Sequence, residues 1–133
     1  MLQIMEKQSS TKIFFTTFAD LTEEYSMILG DFNVVSNHKM DKSKNNYGAK
    51  IPKVAWKNIE QLDLVDIWRH RNSKARKYTF YSDRHDSYSR IDQIWLSKSM
   101  IPSVHDTEIL PNIFADHSPV EISFWFQRPG LRR

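Results

Sequence analysis

The chain has no cysteine among its 133 residues, which excludes a disulfide framework and cysteine-based zinc ligation. It also lacks any window near the roughly 20 consecutive apolar residues needed to span a bilayer. The opening Met1-Leu2-Gln3-Ile4-Met5-Glu6-Lys7 is too polar, and its apolar run too short, for a secretory signal. These absences predict an intracellular chain, nuclear or cytoplasmic, with no membrane partner. No internal repeat or low-complexity linker divides it, and its length suits one domain. The charge excess is small: 19 Lys and Arg against 16 Asp and Glu leave +3. Much of it comes from Lys39, Lys42, Lys44, Lys50, Lys53, Lys57 and the stretch from Arg69 to Lys77. Such an excess suits a polyanionic partner without identifying one. What the chain does hold, 40% hydrophobic and 13% aromatic residues, is enough for a packed core rather than disorder.

Phe14, Phe18, Leu21 and Tyr25 fall at helical spacing, with Ser10 or Thr11 available as a cap, and predict a helix over about 12–25. Met27-Ile28-Leu29, ended by Gly30-Asp31, predicts a buried strand that delivers Asp31 at its carboxyl end. Residues 36–52 are polar and rich in Lys and Asn, and predict a solvated loop closed by Pro52. A second helix follows, carrying Val54, Ile59 and Leu62, and Leu64 to Trp68 is an apolar segment of open type. Tyr78 to Ser82 and Tyr88 to Leu96 flank the polar tip Asp83 to Ser87, which is a hairpin signature. Thr107 to Leu110 predicts a strand, and Val120, Ile122, Phe124 and Phe126 alternate as another with one buried face. The predicted organisation is a flexible N-terminus over 1–11, a partial domain over 12–126 and a frayed tail over 127–133.

Acids, an Asn and a His at strand borders are suited to phosphodiester hydrolysis, where water must attack an anionic centre while an alkoxide leaves. Asp31 at a strand end, followed two positions later by Asn33, can present a base and an amide donor on the same side of the chain. Hard divalent cations such as Mg²⁺ prefer oxygen ligands, so the chemistry calls for carboxylates and not imidazoles alone.

In order along the chain, Ile28-Leu29-Gly30-Asp31-Phe32-Asn33, Ser89-Arg90-Ile91-Asp92-Gln93-Ile94-Trp95 and Phe114-Ala115-Asp116-His117-Ser118-Pro119-Val120 resemble the later part of the endonuclease/exonuclease/phosphatase superfamily. That superfamily includes exonuclease III and the apurinic endonucleases. The resemblance implies that Asp31 orients or deprotonates the attacking water and that Asn33 contacts the phosphoryl group. It further implies that His117 binds the phosphate while Asp92 holds its other ring nitrogen, and that Asp116 serves the metal. Ala115 stands where many members carry Ser. Tyr78-Thr79-Phe80-Tyr81-Ser82, the tip and Tyr88 to Ile94 look most like the endonuclease domain of LINE-type retrotransposons. In those enzymes the hairpin lies against the DNA minor groove, which makes Thr79, Arg84, His85, Ser89 and Arg90 candidate DNA contacts; Phe80 is read as core.

The resemblance covers roughly Phe14 to Phe126 yet only the later half of the family domain. The early Asn-bearing strand, the Glu that is the principal metal ligand and the mid-domain Tyr region have no counterpart, and Glu6, Glu23, Glu24, Glu60, Glu108 and Glu121 stand in other contexts. A Mg (or Mn) site is therefore expected to be incomplete. The implied fold is α/β, the C-terminal half of a four-layered sandwich, with about one sheet whose inner face lacks a partner. Such a chain is expected to be unstable, to self-associate or to pair with a missing N-terminal half. The resulting expectation is a truncated retrotransposon-type DNA endonuclease domain with little activity alone. The alternatives are another phosphodiesterase or phosphatase of the superfamily, although its phosphatases favour Trp-Cys-Asp-Arg where Arg90-Ile91-Asp92-Gln93 stands here, or a non-catalytic nucleic-acid-binding remnant.

Overall fold

The structure, a computed structural model, describes residues 2–5, 14–17, 25–44, 50–112 and 115–125. Its centre is the strand Asp92–Ser97 (β7), in which every residue is buried. Burial on both faces follows from the sequence Asp-Gln-Ile-Trp-Leu-Ser, which carries apolar side chains at successive positions instead of alternating with charge. On one side β7 pairs antiparallel with Ser26–Asp31 (β3), in a register that sets Met27 opposite Leu96 and Asp31 opposite Asp92. On the other side it pairs with the short strand Leu64–Asp66 (β4). Phe14–Thr17 (β2) adds to β3 and completes a four-stranded sheet. A three-stranded sheet contains Leu2–Met5 (β1), Val120–Phe124 (β9) and Val104–Ile109 (β8), with β9 in the middle. Phe80–Ser82 (β5) and Ser87–Ser89 (β6) form a separate two-stranded hairpin.

Side-chain alternation splits the core in two. Met27, Leu29, Ile94 and Leu96 face one way and pack with Val104, Val120, Ile122 and Phe124 of the three-stranded sheet. Ile28 and Trp95 face the other way and pack with Leu64 and with Ile59 of the helix Lys53–Gln61 (α1). Pro52 supplies a pre-set φ of −55° immediately before α1. The edge of the Trp56 ring meets Trp95 at 6.1 Å. Asp66, the last residue of β4, caps the short helix Ile67–Arg71 (α2) by accepting from the Arg69 backbone N–H. A 3₁₀ turn over Lys98–Ser103, with Met100 buried, carries the chain from β7 to β8.

Several expectations need correction. Phe14–Thr17 is a strand and not part of a helix: Phe-Phe-Thr-Thr has strong β preference, and an antiparallel partner is available in β3. The rest of the expected helix up to residue 24 lies outside the described residues, as do Phe126 and the tail over 127–133. Leu2–Met5, placed in a flexible terminus, pairs with β9 from Leu2 opposite Phe124 to Met5 opposite Glu121. Two sheets form where about one was expected, because β8 and β9 fold back and cover the face of β3 and β7 that would otherwise be bare. The second limb of the hairpin also ends early, at Ser89; the Arg90 N–H turns to the Asp41 carbonyl and the Ile91 carbonyl to the Phe32 N–H. Leu64 to Trp68 resolves into a strand followed by a helix.

Leu96 has no exposed surface and lies between the sheets. Leu96→Ala is expected to cost about 2–5 kcal/mol, read as a lower urea midpoint with an unchanged denaturant slope.

Candidate active site

Asp31 ends β3 and Asp92 opens β7, and the register places them directly opposite each other. Two like charges at such a cross-strand position repel. The repulsion is relieved by His117, which reaches the pair from the segment between β8 and β9. Its Nδ1–H donates to Asp92 Oδ2 at 2.7 Å, and its Nε2 lies 3.9 Å from Asp31 Oδ2. The first contact is a hydrogen bond; the second is too long to be one and leaves room for an oxygen that touches both groups. Gly30, with φ 148°, adopts a conformation closed to residues with a Cβ and turns the chain at the strand end. Asn33 follows with φ 55°, and its backbone N–H donates to Asp31 Oδ1 at 2.8 Å, which fixes the carboxylate and leaves the Asn33 side chain exposed.

The environments tune both titrating groups. The hydrogen bond to Asp92 raises His117 above its ordinary value despite partial burial, and the fields of Asp92, Asp31 and Asp116 act in the same direction. Burial raises Asp31 above the usual carboxylate range; the Asn33 N–H and the positive field of His117 oppose this, while Asp92 reinforces it. A carboxylate moved in that direction is a better proton acceptor.

Asp31, Asp92 and His117 each offer a ligand atom, all within 4.8 Å of one another, so that the group could hold a metal ion. Asp92 Oδ2 and His117 Nδ1 are committed to each other, and Asp92 Oδ1 is buried with no hydrogen-bond partner. Asp31 Oδ2 faces the His117 Nε2, and Asp116 is exposed and lies outside the three-residue cluster. A cation such as Mg²⁺ held by so few carboxylates would complete its shell with waters, phosphate oxygens or further ligands.

Two of the expected DNA contacts, Thr79 and Arg90, are buried. Thr79 is 1% exposed, and its hydroxyl accepts from the Ile91 and Asp92 backbone N–H groups. Arg90 is also 1% exposed and forms a buried ion network. Its Nε and Nη2 donate to the two oxygens of Asp41 at 2.8 and 3.0 Å, and it pairs with Asp66 and with the Ser36 hydroxyl. Arg69 joins through Asp41, and both guanidinium groups lie over the Trp68 ring, at 4.9 and 5.2 Å from its centroid. By contrast Arg84 and His85 are exposed at the hairpin tip, and Ser89 is half-buried. Phe80, read as core, is half-buried, with its ring 4.7 Å from the His117 imidazole.

Asp41 was missed by the sequence reading. It lies in the segment read as a solvated loop, yet it is fully buried and ties that segment to Arg90. Its sequence context, Lys-Met-Asp-Lys, carries no sign of this role. Segment 41–43 runs beside β6: Lys42 bridges Ser89, and the Ser43 N–H donates to the Tyr88 carbonyl.

No protein-family model matches the chain. A 3'-5' exonuclease from Neisseria meningitidis is similar in structure, with a TM-score of 0.62 and 24% identity over 77% of this chain and 46% of that one. An AP endonuclease from Leishmania major has a TM-score of 0.55 and 20% identity over 71% of this chain and 33% of its own. The fold is that seen in these exonuclease and AP endonuclease structures, and the chain spans less than half the length of either. In sequence, it is 29% identical over 103 residues to the Transposon TX1 uncharacterized 149 kDa protein of Xenopus laevis. That match covers 76% of this chain and 8% of the other protein.

Two outcomes are expected. Folding depresses the pKa of Asp41 through Arg90 and Arg69, against the opposing effect of burial, so this stabilisation is present above the ordinary value of 3.8 and disappears as pH falls through the folded-state value. Arg90→Met leaves two buried carboxylates without their main partner and is expected to cost about 3–5 kcal/mol near neutrality; urea midpoints measured across pH should fall most where Asp41 is ionised. His117 has a raised value, so its pairing with Asp92 stabilises fully below 6.5 and is lost as pH rises through the higher folded-state value. NMR titration should place the His117 midpoint above 6.5, and Asp92→Asn should bring it down.

Proposed function

We propose that this chain carries the phosphate-engaging part of a DNA endonuclease active site of the LINE-type retrotransposon kind. The observation that carries this reading is His117, hydrogen-bonded to Asp92 through Nδ1 and facing Asp31 across 3.9 Å through Nε2. An Asp that fixes one imidazole nitrogen leaves the other as a charged donor, suited to a phosphate oxygen whose charge grows as water attacks. Asp31, raised by burial, orients the water and takes its proton. Asn33 offers its exposed side-chain amide to the phosphoryl group. Asp116 is the residue left for Mg²⁺ or Mn²⁺, whose remaining ligands would come from outside the described residues. Arg84 and His85 at the exposed tip meet DNA.

The likeness to a transposon protein supports the retroelement reading, and the likeness to an exonuclease and an AP endonuclease supports action on DNA phosphodiesters. A second reading, phosphate removal from DNA ends, draws on a similar structure described as a 3' phosphatase from Neisseria bound to product DNA hairpin. With its metal ligands incomplete, the chain alone has little activity, and pairing with an N-terminal half of the domain would complete the site.

Purified 1–133 with Mg²⁺ or Mn²⁺ is expected to nick supercoiled plasmid no faster than Asp31→Ala does, while binding duplex DNA in a salt-dependent way that weakens in Arg84→Ala. Robust nicking abolished by Asp31→Ala and by His117→Ala would overturn the inactivity while supporting the site. Phosphate release from a 3'-phosphorylated oligonucleotide without nicking would favour the second reading. Absence of DNA binding at any salt concentration would sink both.

A further inference from the structure

Thr79 is buried, yet its polar groups connect three separate segments around the candidate site. The hydroxyl oxygen accepts from the backbone N–H groups of Ile91 and Asp92, both at 3.1 Å. The Thr79 N–H donates to the Ser89 carbonyl at 3.0 Å, and its carbonyl accepts from the Ser118 N–H at 2.6 Å. One residue later, Phe80 forms an isolated antiparallel bridge with His117.

These bonds have a common geometry. A hydroxyl has two acceptor lone pairs, and Thr79 directs both to the point where the chain leaves the hairpin and enters β7. Asp92 is therefore held by its own backbone at the residue whose side chain must meet His117. On the other side, the carbonyl of the same threonine fixes the backbone beside His117, in a segment that lies between strands rather than within one. The backbone at Asp92 and the backbone beside His117 are thus both tied to a single residue.

We propose that Thr79 is a positioning residue that sets the Asp92–His117 hydrogen bond, its hydroxyl placing the acid and its carbonyl placing the imidazole. The inference builds on the reading of Asp92 and His117 as the working pair. Its readout is the pair itself, so it stands or falls separately from nuclease activity.

Two variants test it. Thr79→Val keeps the shape and removes the acceptor; Thr79→Ser keeps the acceptor. In ¹⁵N-labelled protein, at a pH where the imidazole is neutral, the unsubstituted chain should show His117 as the Nδ1–H tautomer with a hydrogen-bonded Nδ1–H resonance. Thr79→Val should lose that resonance and shift towards the Nε2–H tautomer, with amide exchange at Asp92 accelerated about tenfold or more. Thr79→Ser should restore both, and the Trp95 indole and β9 amides should stay native in each variant. A folded Thr79→Val protein with an unchanged His117 tautomer would overturn the proposal.

Should Thr79→Val fail to fold, the unsubstituted chain provides the deciding measurement. In sub-denaturing urea, the Ile91 and Asp92 amides should open together with loss of the His117 Nδ1–H resonance. Survival of that resonance after the Asp92 amide has opened would equally overturn the proposal.

Discussion

The interaction on which the rest of the structure depends is the buried pairing of Arg90 with Asp41 and Asp66. Arg90 stands between the hairpin and β7, Asp41 in the segment that follows β3, and Asp66 at the junction of β4 and α2. A guanidinium without partners in that position would carry a prohibitive desolvation cost, as would either carboxylate alone. The bidentate contact with Asp41 and the Ser36 hydroxyl also fix direction, which a non-directional apolar contact would not. Three pieces of chain that are distant in sequence are thereby held in one arrangement.

The site inherits its geometry from that frame. Register between β3 and β7 puts two acids face to face, an arrangement unfavourable in itself. His117 relieves it by donating a hydrogen bond to Asp92 and turning a positive field to Asp31, and its raised pKa reflects both contacts. The same strain makes the site responsive, because an anion entering the 3.9 Å gap would meet a charged imidazole already oriented by Asp92. The likeness to an exonuclease and an AP endonuclease is a likeness of fold, and within it these few side chains carry the chemical argument.

Much of this was legible in the sequence, and the reasons differ by element. Met27-Ile28-Leu29 before Gly30-Asp31 reads as a strand with chemistry at its end because an apolar run and a breaker are both local signals, and Pro52 announces α1 in the same way. Phe14 to Thr17 misled because helical spacing and β preference coexist there, and only the availability of β3 as a partner decides between them. Burial of Arg90 and Thr79 could not be read locally: the residue types and their place beside a hairpin suit a DNA contact equally well. Asp41 was invisible for a related reason, since its role exists only once Arg90 and Arg69 converge on it from far along the chain. Motif order located the acids and the His, and the missing Glu already pointed to an incomplete metal site, but the commitment of Asp92 to His117 is visible only in the folded chain.

The buried contacts of the hairpin lie at its base, at Thr79 and Arg90, while residues 83–86 are all exposed and Asp86 pairs with Lys44 at the surface. The exposed tip and the acid pair are thus set apart in the fold. Substitution or insertion among these exposed residues would leave the buried base where it is, and with it the spacing of Asp31, Asp92 and His117.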